Sequence, residues 1–207
     1  MDHEDLDGAL LAAQDGDEAG FAALWQALQP AVRRYLWVMV GDAADDVASE
    51  TWLQVVRDLS RFRGDAAAFR VWLFRIARNR GVDDRRRVGR RREDPDDPAS
   101  LDPAGVHDTA QQVLDGLDTE WAVRIIASLP RYQAEALMLR VVAGLDVTQT
   151  AQVLGRRPGA VRVAAMRGLR NLARHPEVQA RQATRAPNRQ RARLEAEHSW
   201  PRREVTP

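Results

Sequence analysis

The chain has no cysteine and no lysine. Without cysteine there are no disulfides, no thiolate metal sites and no thiol nucleophile. Without lysine all 31 basic residues are arginine, and with the high alanine content this fits a GC-rich coding bias. The choice of arginine over lysine at any one position therefore carries no functional information. The four histidines, His3, His107, His175 and His198, are scattered without metal-ligand spacing, so neither a metal nor another cofactor is expected. There is no run of about 18 apolar residues, and the acidic beginning of the chain is unlike a signal peptide. No membrane insertion is expected, and the localisation expected is cytoplasmic. No serine-centred nucleophile elbow and no phosphate-cradling glycine loop occur, so the sequence offers no enzyme chemistry.

What is present is 207 residues with 44% hydrophobic content, enough for one or two cored domains. Aromatics are only 6%. The net charge of +1 conceals strong segregation. Thirteen arginines face four aspartates between Arg57 and Arg92, whereas nine acids and no arginine lie between Glu93 and Glu120. Blocks of this kind suit different partners for different segments.

Hydrophobic periodicity predicts helices almost throughout. Residues 4–15 read as a short amphipathic helix. Glu18 to Val40 form a longer one, and Pro30 inside it should kink or divide it. Asp42 is placed to cap a helix over 43–59 with Val47, Trp52, Val55, Val56 and Leu59 inward. Asp45, Asp46 and Glu50 sit in its first two turns, where carboxylates favour the helix dipole. After the connection Ser60–Gly64, Asp65 caps a helix over 65–92. Phe69, Trp72, Leu73, Ile76 and Ala77 share its apolar face, and it ends in Arg90, Arg91 and Arg92. A basic helix with an aromatic seam suits a polyanion that offers bases to stack on.

Residues 93–117 hold Pro95, Pro98 and Pro103 among acids and read as a flexible acidic linker. A second helical unit, 118–175, begins near Thr119, with Trp121, Ile125, Ile126 and Leu129 apolar. A helix from Pro130 carries Ala134, Leu137, Met138, Val141 and Val142. Thr148 is expected to cap a short helix, Gly155 to turn the chain, and Pro158 to open a helix with Val161, Ala165, Leu169 and Leu172 inward. Residues 148–173 thus have helix–turn–helix form, in which the second helix enters a DNA major groove. Arg156, Arg157, Arg162 and Arg167 are the candidates for base or phosphate contact there. Residues 176–207 read as a basic, disordered tail. The fold class expected is all-α: two small helical domains, 1–92 and 118–175, on a flexible acidic linker. The helix–turn–helix alone would also fit a stand-alone duplex-DNA regulator.

The segments DAADDVASETWLQVVRDLSRFRG and FRVWLFRIARNRGVDDRRR together resemble region 2 of the extracytoplasmic-function (group 4) sigma factors of the sigma-70 family. SLPRYQAEALMLRVVAGLDVTQTAQVLGRRPGAVRVAAMRGLRNL resembles region 4 of the same class, in the same order and without a domain between. The resemblance covers about residues 5–175. It implies a dissociable subunit that binds core RNA polymerase through the clamp helices of the largest subunit and the flap, and brings it to promoter DNA. The class usually has an anti-sigma factor as well.

Carried over residue by residue, Asp45, Asp46, Glu50 and Trp52 match the clamp-binding motif, with Trp52 serving either core or interface. Phe62, Arg63, Phe74, Arg75, Asn79 and Asp83 match the part that captures the −10 element as a separated strand, while Phe69 and Trp72 are expected in the core. Asp83 would alternatively pair with Arg80 or Arg87. Arg156, Arg157, Arg162 and Arg167 match the part that reads the −35 element as duplex. The chain departs from the family at Val163, Ala164 and Ala165, where polar residues are common, and in the three alanines after Asp65.

Overall fold

In the computed structural model the backbone is described for residues 3–92 and 110–183, and side chains for 5–90 and 119–183. The acidic stretch 93–109 and the tail beyond 183 lie outside the described residues. All regular structure among those described is helical: α1 His3–Gln14, α2 Glu18–Val40, α3 Ala44–Asp58, α4 Ala66–Arg92, α5 Ala110–Ala127, α6 Arg131–Leu137, α7 Val147–Leu154 and α8 Pro158–Arg174. Residues 176–183 add two further turns where a disordered tail was expected.

The first unit, α1–α4, is built on α2. Leu24, Leu28, Val32, Tyr35, Leu36 and Met39 line its buried face. Asp17 caps α2, accepting from the amides of Ala19 and Gly20. Gly20 itself permits the crossing with α1, because a Cβ there would sit 2.8 Å from the Ala13 nitrogen and 2.9 Å from the Ala9 oxygen. The helix runs through Pro30 without dividing. The proline is exposed, and the burial of the apolar face on both sides of it keeps the helix whole despite the lost backbone bond.

Asp42 does not cap α3. Gly41–Ala43 form a 3₁₀ turn that runs directly into it, and Ala43 occupies the cap position without a side-chain bond. On α3, Val47, Trp52 and Val55 are inward, while Leu53 and Val56 are more than half exposed, against the expectation for Val56. On α4, Asp65 caps as expected, accepting from the Ala68 amide at 2.8 Å. Gly81 does not interrupt α4; it lets the helix close on Leu36 and Met39, each 3.4 Å from where a Cβ would stand.

The second unit starts earlier than the sequence pattern suggested, since α5 begins at Ala110 and Thr119 lies inside it. Trp121 is half-buried beneath residues 176–183: its indole donates to Glu177 at 3.0 Å, and the Arg181 guanidinium lies 4.6 Å from its ring centre. After α6 the helix widens into a π turn, Met138–Val142. The inserted residue shifts the inward face, so Leu139 is buried and Val141 points out, 69% exposed. Asp146, not Thr148, caps α7. It accepts from the Gln149 amide, and the Gln149 side chain accepts from the Asp146 amide, a reciprocal capping box. Gly155 adopts the left-handed conformation, φ 61° and ψ 42°, and ends α7. In α8 the inward face is Val161, Ala164 and Gly168; Leu169 is exposed, correcting the expected stripe. Gly168 sits where a Cβ would be 2.8 Å from Leu137.

Candidate nucleic-acid interface

The acidic surface lies on α3. Asp45 is exposed and hydrogen-bonded by Arg33, which holds its carboxyl below the ordinary aspartate value against the opposing effect of partial burial. The same pairing raises the Arg33 guanidinium. Asp46 and Glu50 are exposed and have no hydrogen-bond or ion-pair partner among the described residues. Spaced four and three residues apart, Asp46, Glu50 and Leu53 share one helical stripe, and Val56 adjoins it. Acids beside exposed aliphatics suit a basic helical partner better than solvent alone. Val56 was missed from sequence because it was read as part of the inward stripe, and Leu53 because it lies off that stripe and carried no signal of its own. Trp52 resolves to the core: it is 6% exposed, donates to Gln29 at 2.6 Å and meets Phe21 edge-on at 5.8 Å.

The second surface is the loop before α4 and the outer stripe of that helix. Phe62, Phe69 and Trp72 form an aromatic cluster, with ring centres 5.0–5.7 Å apart. Phe69 is buried, whereas Phe62 and Trp72 are half-buried and keep one side toward solvent. The loop is held at both ends by α1. Gln14 donates to the Phe62 carbonyl at 2.7 Å and the Leu59 carbonyl at 3.3 Å, and Asp7 accepts from the Ala66 amide at 2.6 Å. No local sequence signal pointed to Gln14 or Asp7, since both act across more than forty residues. Arg63 is exposed and folds back to donate to the carbonyls of Ser60 and Phe62.

Phe74 is not on this surface. It is fully buried and packs edge-to-face on Tyr35 at 5.6 Å, so it has no face to offer a base. Arg75 and Asn79 are exposed one turn apart, and Asn79 has no hydrogen-bond partner among the described residues. Asp83 continues the stripe and pairs with Arg86 at 3.6 Å, rather than with Arg80 or Arg87. Arg80 instead donates to Gln54, and Arg87 to the buried Asp84. An amide with free donors and acceptor, one turn from the exposed Arg75, can hydrogen-bond a base edge.

The third surface is the α7–turn–α8 motif. Arg156 and Arg157 stand in the turn, and Arg162 and Arg167 on α8; all four are exposed. Arg157 opens α8 in extended conformation, followed by Pro158, Gly159 and Ala160. These small residues leave the helix start able to approach a groove closely. The Arg156 guanidinium lies 5.8 Å from the Tyr132 ring centre, a contact that orients it. Val163 and Arg167 face an apolar recess of about 400 Å³ shared with Pro130, Tyr132 and Gln133. Among the described residues no cluster could hold a metal ion, and no helix is long and apolar enough to cross a membrane.

The described residues thus present helices only, an exposed acidic stripe on α3, an exposed amide on α4 and a helix–turn–helix with basic outer positions. The family models for sigma-70 region 2 and sigma-70 region 4 match residues 24–91 and 119–172. The factor SigD of Mycobacterium tuberculosis, an ECF RNA polymerase sigma factor, is 32% identical over 83% of this chain and 84% of its own. ShbA of Streptomyces griseus, another, is 34% identical over 80% of this chain and 92% of its own. Two solved structures share the fold at 21% identity: CnrH in complex with the cytosolic domain of CnrY, with TM-score 0.55 over 81% of this chain and 95% of that one, and RpoE in complex with the anti-sigma factor NepR from Bartonella quintana, with TM-score 0.57 over 77% and 96%. The chain belongs to the extracytoplasmic-function RNA polymerase sigma factors of the sigma-70 family.

Proposed function

We propose that this sigma factor docks on core RNA polymerase through Asp46, Glu50, Leu53 and Val56, with Asp45 at the rim because Arg33 already engages it. Residues 1–92 serve as the core-binding and −10 module, and the helix–turn–helix unit reads the −35 duplex. Asn79 reads a flipped base of the melted −10 strand, Phe62 and Trp72 supply the stacking surface, and Arg63, Arg75 and Asp83 position the strand. Arg157 and Arg162, at the start of α8, reach base edges. Arg156 and Arg167 hold phosphate. The chain carries no catalytic step of its own and acts in the cytoplasm, where its polymerase is.

The observation that supports this most strongly is the exposed Asn79, without a hydrogen-bond partner among the described residues, between Arg78 and Arg80, which are both engaged elsewhere. A duplex-only regulator has no use for that amide or for the acidic face of α3. The test is competition for core polymerase and for a fork-junction template with a pre-melted −10 segment. Asp46→Lys with Glu50→Lys should lower core binding at least tenfold, and unchanged binding would remove the docking role.

A further inference from the structure

We propose, resting on the reading of the helix–turn–helix as the −35 module, that Val163 and Met166 of α8 read the duplex through thymine methyl groups. The factor then selects A·T pairs at neighbouring steps beside the pair that Arg162 contacts. The buried face of α8 is Val161, Ala164 and Gly168. With about 100° between successive residues, the line opposite that face runs through Gly159, Val163, Met166 and Arg170. All four are exposed, Val163 at 41% and Met166 at 45%. Arg162 flanks this line on one side and Arg167 on the other, both exposed and neither paired with a carboxylate among the described residues. The departure from the family at 163–165 narrows to one residue, because Ala164 is buried and Ala165 partly so, and only Val163 faces out.

A single exposed valine on a helix needs no account. Here two apolar side chains hold the centre of the outward line, in the N-terminal half of α8, the part of a recognition helix that meets base edges. Valine has no hydrogen-bonding group and the methionine sulfur is a weak acceptor, so neither selects a base by polar contact. The apolar group that the major groove offers them is the C5-methyl of thymine. Charge decides for DNA over a protein partner. An apolar partner seated on Val163 and Met166 would leave the arginines on both flanks without anions, whereas a duplex brings phosphates to them.

The local structure suits close approach. Pro158, Gly159 and Ala160 open α8 with no long side chain, so nothing stands between Val163 and a groove that the helix start enters. Val163 also forms one edge of the apolar recess with Pro130, Tyr132 and Gln133, and its branched Cβ leaves it little rotational freedom, so its outward surface is preset. Met166 is unbranched and polarizable, and adapts to a methyl whose position shifts with the base step. The two residues are about 4.5 Å apart along the helix axis at about 1.5 Å per residue, against about 3.4 Å between base pairs, so they meet neighbouring pairs rather than one. Arg162, next to Val163 in the chain, sets a guanine contact beside them.

The test uses holoenzyme assembled from core polymerase and the full chain. Duplexes that it retains are selected from a pool randomised across both promoter elements. Each thymine of the selected −35 segment, on either strand, is then replaced in turn by deoxyuridine, which removes the methyl and keeps every hydrogen-bonding group. Loss of one buried methyl contact lowers affinity about three- to fourfold. For the wild type, two positions at neighbouring pairs should each show that loss. Val163→Ala should abolish it at one position and keep it at the other, and Met166→Ala should do the reverse. Both side chains are exposed, so helical circular dichroism should not change. Leu169→Ala, exposed but about a third of a turn from Val163 round the helix, should keep both losses. Selected segments without neighbouring A·T pairs, deoxyuridine tolerated at every position, or equal losses in wild type and both variants would each overturn the proposal. Variants that bind core less tightly with their deoxyuridine losses unchanged would make Val163 and Met166 a protein-facing patch and overturn it equally. Failure of the sigma reading looks different: core with the chain would then retain no duplex that core alone does not.

Discussion

Asn79 is the residue on which the −10 reading turns. A base-edge contact from an amide is worth about 1–3 kcal/mol. Asn79→Ala should therefore weaken binding to a pre-melted −10 fork about tenfold or more while leaving core association intact; equal affinity for the fork would remove Asn79 as a base reader. Asp45 offers a second check at this scale. Arg33 depresses its carboxyl, so the folded-state value lies below the unfolded one. The pairing is then fully present above about pH 4 and is lost as pH falls through the depressed value. In Arg33→Ala the Asp45 carboxyl should titrate upward toward the ordinary aspartate range by carboxyl NMR, and an unmoved titration would show that Arg33 is not the cause.

At the level of single side chains, spacing told the roles of Phe69, Leu73 and Ile76 correctly but not those of Phe74 and Trp52. Phe74 falls just beside the apolar stripe of α4. It is buried because α2 packs on that side as well and brings Tyr35 against it, and a second packing partner is not visible in one helix's periodicity. Trp52 was open between two roles until Gln29, twenty-three residues away, supplied its hydrogen bond.

Among the elements, the helix–turn–helix is the best specified. Gly155 in the left-handed region and the Asp146–Gln149 box fix the two ends of α7. Gly155→Ala should cost about 1 kcal/mol for the left-handed backbone, and Asp146→Ala about 1 kcal/mol for the lost cap. Each should show as a lower thermal midpoint of the full chain; an unchanged midpoint for Gly155→Ala would mean that the turn relaxes to another conformation. Helix existence was legible because the 3.6-residue period is clear in α2, α3 and α8. Helix ends and facing were less so. Asp146 and Thr148 are both good caps by type, and only the backbone geometry chooses between them. The π turn after α6 inserts one residue, which no period of 3.6 anticipates, and so Val141 turned outward.

Across the whole molecule, the order of a sigma-70 region 2 segment before a region 4 segment was legible from the motifs and is what the family models match. The packing of the second unit on α4 was not, because it depends on Glu135 meeting Arg78 over a separation of 57 residues. Promoter binding by such an arginine-rich surface should fall steeply with salt, since each phosphate contact releases counterion. Arg167→Ala should reduce the slope of log affinity against log salt by about 1, with little change in sequence preference; Arg162→Ala should relax preference at one −35 position. Identical slopes for wild type and Arg167→Ala would take Arg167 off the phosphate backbone.

The central claim is that this chain gives core polymerase its promoters, and run-off transcription from a pool of genomic templates tests it most directly. With purified core, the wild-type chain should produce discrete transcripts that core alone does not, sharply reduced for Asn79→Ala although that variant still associates with core. Absence of any chain-dependent transcript from a core that the protein demonstrably binds, or transcripts insensitive to Asn79→Ala, would contradict the account.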